Sequence, residues 1–109
     1  MQAHKRKVLH YVFKGKDAFG EWLYGLADIS GQVVILKRIE RVEEGNFGDH
    51  CSVGGGVWEL RVHYGPGYRV YYGEDGLKIV LLLCGGDKGA QKKDIRKARE
   101  LWAEYRRAK

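Results

Sequence analysis

At 109 residues, with 44% hydrophobic and 31% charged side chains, the chain can build one core and is too apolar for disorder. Its longest apolar run, Ile79 to Cys84, falls far short of the roughly 18 residues of a membrane span, so a single cytoplasmic domain over 1–109 is expected. A net charge of +6 and a pI near 9.4 favour a polyanion or an acidic protein as partner.

The charge is unevenly placed. Residues 1–16 carry five Lys/Arg and no acid, and residues 88–109 carry nine against three acids, which leaves −5 for residues 17–87. The basic start has no apolar stretch behind it, so no secretion signal is expected. Lys5, Arg6 and Lys7 at one end, and Lys92, Lys93 and Arg96 at the other, are candidates to grip an RNA backbone, and would form one surface if the ends meet.

In chain order, Val8–Phe13 reads as a first strand. Asp17 can cap a helix whose Phe19, Trp22, Leu23 and Leu26 share one face. Ser30 is read as the cap of a second helix with Ile35, Ile39 and Val42 as its stripe, stopped at Gly45-Asn46. The short connection between them implies a helical hairpin. Residues 46–56 are Gly-rich and read as a loop. A β-hairpin turning at Gly65-Pro66-Gly67 follows, then a nearly continuous apolar strand over 77–84. The chain closes with a helix over 90–106 whose buried stripe is Ile95, Ala98, Trp102 and Tyr105. The order β-α-α-β-β-β-α predicts an α+β fold, an antiparallel meander packed on a helical hairpin with a C-terminal helix. Cys51 and Cys84 are expected as reduced thiols. No metal-ligand spacing or phosphate-binding glycine loop is present in the sequence, so neither metal nor cofactor is expected.

The hairpin carries the chemistry. Alternation places Trp58, Leu60, Val62 and Tyr64 with Tyr68, Val70 and Tyr72 on one face. Glu59, Arg61, His63, Arg69 and Tyr71 share the other. With a tight turn at 65–67, residues 64 and 68 pair, His63 faces Arg69 and Arg61 faces Tyr71. RNA cleavage by its own 2′-hydroxyl needs a base, cations on the phosphate oxygens and help for the departing 5′-oxygen. Glu59 and His63 are alternative bases. Arg61 reads either as a phosphate ligand or as the partner of Glu59 or a helix acid in a structural ion pair. Tyr71 reads as a group that stacks a base or donates to a phosphate, or as a plain sheet tyrosine.

Several strings in order carry a family resemblance: Phe19-x-x-Trp22-Leu23, Arg38-Ile39, Glu44-Gly45-Asn46-x-Gly48-Asp49, Glu59-Leu60-Arg61, Gly65-Pro66-Gly67-Tyr68-Arg69-Val70-Tyr71-Tyr72, and Leu82-Leu83-x-Gly85-Gly86-Asp87-Lys88 with Gln91 and Asp94-Ile95. Together they resemble the RelE/ParE toxin superfamily, in its HigB-like branch of addiction-module killer proteins. The resemblance implies the toxin of a type II toxin–antitoxin system: a metal-independent mRNA endonuclease that acts on the ribosome and inhibits translation. It further implies a co-encoded antitoxin of helix-turn-helix type, operator DNA contacted only through that antitoxin, and no membrane. On the same resemblance Arg69 faces the scissile phosphate, and Lys88 reads as a catalytic or phosphate-binding group or as a solvated charge at a helix start. Best-known RelE nucleases carry lysines where this chain has Val57 and Glu59, which leaves the base undecided. ParE-type members share the fold and poison DNA gyrase, which makes a non-catalytic gyrase inhibitor the alternative.

Overall fold

The computed structural model describes residues 4–109. Its centre is a five-stranded sheet in the order β1-β7-β6-β5-β4, comprising β1 (Lys7–His10), β4 (His50–Gly54), β5 (Val57–Val62), β6 (Tyr68–Asp75) and β7 (Ile79–Asp87). Strands β4 to β7 form the expected antiparallel meander, and β1 adds in parallel beside β7. A two-residue ladder, β2 (Val12–Phe13) with β3 (Lys16–Asp17), leads into the helices.

Helix α1 (Ala18–Tyr24) starts where Asp17 accepts from the Gly20 amide at 2.9 Å. Helix α2 (Ile29–Glu43) is capped by Asp28, which accepts from Gly31 N–H at 2.9 Å; Ser30 is already inside the helix, not at its cap. Asp28 also accepts from the Tyr68 hydroxyl at 2.7 Å, a tertiary bond that Ser30 could not make from within the helix. That bond raises the Tyr68 phenol to about 12, burial adding to it.

Sheet parity sorts the core into two. Leu60, Val62, Tyr68, Val70, Tyr72, Val80 and Leu82 pack against Phe19 and Leu23 of α1 and Ile35, Ile39 and Val42 of α2. The opposite face packs Val57, Tyr71, Leu81, Leu83 and Cys84 against Ala98 and Trp102 of α3 (Gln91–Arg107), which follows a single 3-10 turn over Lys88–Ala90. Strand β7 is buried on both faces, which explains its unbroken apolar run. An irregularity opposite Tyr71/Tyr72 sets Tyr71 against Cys84 and Tyr72 against Leu82. Leu83 is thereby an extra residue, and both Leu83 and Cys84 join the α3 side. Two tryptophans grip the sheet over glycines: a Cβ at Gly73 would overlap Trp102, and one at Gly85 would overlap Trp22.

Three expectations change here. The Gly-rich segment 46–56 contains an edge strand, β4, because Cys51 and Ser52 pair with Glu59 and Trp58; of its glycines, all at positive φ, Gly48 lies in the loop before the strand, Gly54 ends it and Gly55 and Gly56 form the turn after it. The hairpin register moves by two residues: Arg61 faces Arg69 and Glu59 faces Tyr71. Its loop is longer than a tight turn, with Tyr64 N–H donating to Val62 O and Gly67 N–H to Tyr64 O, so His63 leaves the ladder. Finally, the face of the hairpin read above as carrying the chemistry is roofed by α3.

Candidate functional site

The site grows from the corrected register. With Glu59 opposite Tyr71 and Arg61 opposite Arg69, four polar side chains lie side by side on the α3 face of β5 and β6. The first turn of α3 then covers them. Gln91 Nε2 donates to Glu59 Oε2 at 2.7 Å, the Tyr71 hydroxyl to the same oxygen at 3.0 Å, and Arg61 Nε to Oε1 at 3.1 Å. Glu59 is 0% exposed. Burial alone would raise its carboxyl, but the hydrogen bonds from Gln91, Arg61 and Tyr71, with the charge of Arg69, hold it below its ordinary value. Tyr71 is likewise buried, and burial beside the Glu59 charge pushes its phenol strongly up.

Arg69 is the pivot between this buried cluster and solvent. It is 8% exposed, with Nε buried, unbonded and 4.0 Å from Glu59 Oε2. It lines an open cleft of about 410 Å³ together with His63, Tyr64, Gly65, Pro66, Gly67 and Lys88. The hairpin tip is tied to the end of β7 by Lys88 N–H donating to Gly67 O at 2.8 Å, which is why Lys88 joins the cleft. Lys88 also borders a second depression of about 570 Å³ lined by Gly89, Ala90, Gln91, Lys92 and Lys93. A fixed guanidinium, an ammonium and an imidazole around one cleft can hold an oxyanion such as phosphate and handle a proton beside it.

The six predicted central residues separate into two groups. Arg69, His63 and Lys88 share the cleft. Glu59 and Tyr71 belong to the buried cluster beneath it, and neither presents surface to the cleft in this structure. Arg61, half-exposed, takes the ion-pair reading: besides Glu59 it donates from Nη2 to Cys51 Sγ at 3.1 Å and lies 3.8 Å from Asp49. Of the basic flanks, Lys92 and Lys93 lie next to the cleft. Arg96 is one turn further along α3. Lys5, Arg6 and Lys7 do not join them. Lys7 pairs with Ile79 at the start of β7, whereas Lys88 follows its end, so the two basic stretches lie at opposite ends of the sheet.

Sequence reasoning gave no role to Gln91, Cys51, Asp49 or Arg38. Gln91 and Cys51 bond Glu59 and Arg61 as described. Asp49 accepts from His63 Nε2 at 2.6 Å. Arg38, buried on α2, donates from Nη2 to Asp49 O at 3.1 Å, leaving Nη1 buried without a partner. Recognising β4 as a strand would have brought Asp49 and Cys51 beside Arg61.

A family model described as "Phage derived protein Gp49-like" matches residues 21–103, which include every residue of the cleft and of the cluster beneath it. The chain belongs to the Gp49-like family. This corrects the resemblance to the RelE/ParE superfamily: the motif strings quoted above are strings of a Gp49-like protein. A Haemophilus influenzae protein described as "Uncharacterized protein" is 46% identical over 86 residues, covering 79% of the Gp49-like chain and 87% of the relative. No solved structure matches the chain.

Proposed function

We propose that this Gp49-like protein is a toxin-like endoribonuclease that cuts mRNA and so inhibits translation. The observation that carries the reading is the convergence of Arg69, Lys88 and His63 on one open cleft at the hairpin tip. Arg69 would grip a phosphate from a position fixed by β6 and by the Glu59 charge behind it. Lys88 would add a second cation, and Lys92 and Lys93 would extend the positive surface along the strand leaving the cleft. The preorganised charge is what a crowded phosphorane-like transition state needs. The alternative, a non-catalytic gyrase inhibitor, would give the converging cations of the cleft no chemical role.

As part of the same proposal, an antitoxin with an acidic or amphipathic segment would cover the basic mouth of the cleft and block it. The test is induction of the chain in bacteria with transcript 5′ ends mapped before and after, with and without an inhibitor that strips ribosomes from mRNA. New ends within translated regions that disappear with ribosomes support a ribosome-bound substrate, and ends that persist point to free mRNA. Unchanged transcripts under growth arrest would reject the ribonuclease reading.

A further inference from the structure

His63 stands apart from the other cleft residues because its orientation is dictated from outside the hairpin. Its imidazole is 72% exposed, yet Nε2 lies 2.6 Å from Asp49 Oδ2. The hydrogen bond from His63 holds Asp49 below the ordinary carboxylate range, against a desolvation cost, with the Arg61, His63 and Arg38 charges helping. An ionised carboxylate can only accept, so Nε2 is the donor in this contact, and in the neutral imidazole that tautomer has its lone pair on Nδ1.

Asp49 is in turn held on its other side. Its carbonyl accepts from Arg61 N–H at 3.0 Å and from Arg38 Nη2 at 3.1 Å. The preceding Gly48 has φ +61°, and a Cβ there would strike the Arg38 guanidinium. A buried arginine of α2, a glycine without a side chain and a backbone bond to β5 thus fix the Asp49 backbone, and its carboxylate meets His63 of the cleft and lies 3.8 Å from Arg61. This is more structure than an ordinary surface ion pair has.

We propose that Asp49 and His63 form the proton-handling pair of the cleft, with Asp49 as the positioning residue and His63 Nδ1 as the base. The inference rests on the ribonuclease reading and sharpens its substrate class: the proton acceptor has work only where a 2′-hydroxyl is present, so RNA is cut and DNA is not. In the step, the 2′-hydroxyl proton passes to Nδ1 and the O2′–P bond forms. The P–O5′ bond breaks, and the departing O5′ takes a proton from solvent. The products are a 2′,3′-cyclic phosphate and a 5′-hydroxyl, and the imidazolium returns its proton to water. Arg69 and Lys88 face the phosphate while Asp49 balances the imidazolium charge.

Two measurements on the full chain decide it. In the first, ribosomes programmed with a short mRNA are cut by the wild type, Asp49→Asn, His63→Gln and the double variant. His63→Gln should slow turnover by on the order of a hundredfold. Asp49→Asn should slow it by on the order of tenfold with KM little changed. The double variant should be no slower than His63→Gln, because Asp49 acts only through the imidazole. In the second, long-range nitrogen–proton NMR of the free protein should show His63 as the Nε2–H tautomer, and mixed tautomers in Asp49→Ala. Cleavage in which the two substitutions add independently, or a tautomer indifferent to Asp49, overturns the pair while leaving the ribonuclease reading intact. No cleavage by the folded wild type removes that reading and the base role together, whatever the tautomer.

Discussion

Glu59→Gln is the most informative single change outside the cleft. The substitution keeps shape but removes the charge on which Gln91, Tyr71 and Arg61 converge, at 2.7, 3.0 and 3.1 Å, and which lies 4.0 Å from Arg69. Hydrogen bonds to a charged group contribute roughly 1.5–3 kcal/mol each. The new amide keeps one accepting oxygen but turns its NH2 toward groups that are themselves donors. Arg61, half in water, recovers part of its loss, whereas Arg69, nine-tenths buried, is left without its counter-charge. Breaking a buried pair by removing one partner costs about 3–5 kcal/mol. The solvent access of Arg61 places this case at the lower end, about 3 kcal/mol. For a domain of this size that lowers Tm by on the order of 15 °C. The pH dependence has a definite sign. The folded pKa of Glu59 lies below its unfolded value, so its contribution is present above the unfolded value of about 4.3 and is lost as pH falls through the folded one. The stability gap between wild type and Glu59→Gln should therefore be full at neutral pH and shrink in acid; Asp17, Asp28, Asp49 and Asp75, also lowered, are common to both proteins and cancel. Urea titrations from pH 3 to 7 measure it. A variant within about 0.5 kcal/mol of wild type at pH 7, or a gap independent of pH, would refute the account of Glu59 as the anion that organises the cluster.

Arg69→Ala should slow RNA cleavage by on the order of a hundredfold, and because the side chain is buried it should also cost about 1–2 kcal/mol in a thermal melt; Arg69→Lys should recover only part of the activity, since an ammonium lacks the planar two-point grip. Gly73→Ala should destabilise by about 1–3 kcal/mol through overlap with Trp102, read by urea unfolding. Tyr68→Phe should cost about 1 kcal/mol at neutral pH by uncapping the bond to Asp28. With its folded pKa raised to about 12, Tyr68 contributes fully below about pH 10 and loses that contribution as pH climbs toward 12. The wild type's alkaline loss of stability should accordingly be shallower in Tyr68→Phe.

Periodicity made the helices and the meander readable: the stripe Ile35, Ile39 and Val42 is buried on α2, and Ala98 and Trp102 are buried on α3. Asp17 was legible as a cap because nothing competes with it, whereas Asp28 was passed over for Ser30 because its second bond, to Tyr68, comes from a residue distant in sequence. Parity placed Glu59, Arg61, Arg69 and Tyr71 on one face correctly but could not say what covers that face. That answer depends on where α3 lands, a tertiary outcome with no local signal. The same gap left open that Arg69, on that face, is nearly buried. The register slipped because a glycine–proline–glycine string fixes the centre of a turn but not how many flanking residues leave the ladder. The family resemblance was drawn from the strings themselves, which mark residues and their order but did not separate the Gp49-like family from the RelE/ParE superfamily.

The parallel seat of β1 beside β7 has a consequence for the order in which the molecule assembles. Hairpins β4-β5, β5-β6 and β6-β7 join neighbours in the chain and can close as soon as they emerge from the ribosome. Strand β1 must wait, because Lys7 meets Ile79 and His10 meets Leu82, and closing so long a loop is the slow part of folding. Lys88 and Gln91 follow β7 directly, so the cleft and the cluster beneath it also wait for that late segment. A nascent chain arrested before β7 lacks both the edge of its sheet and the lysine of its cleft. The proposed cleavage chemistry would thus be withheld until synthesis is nearly finished.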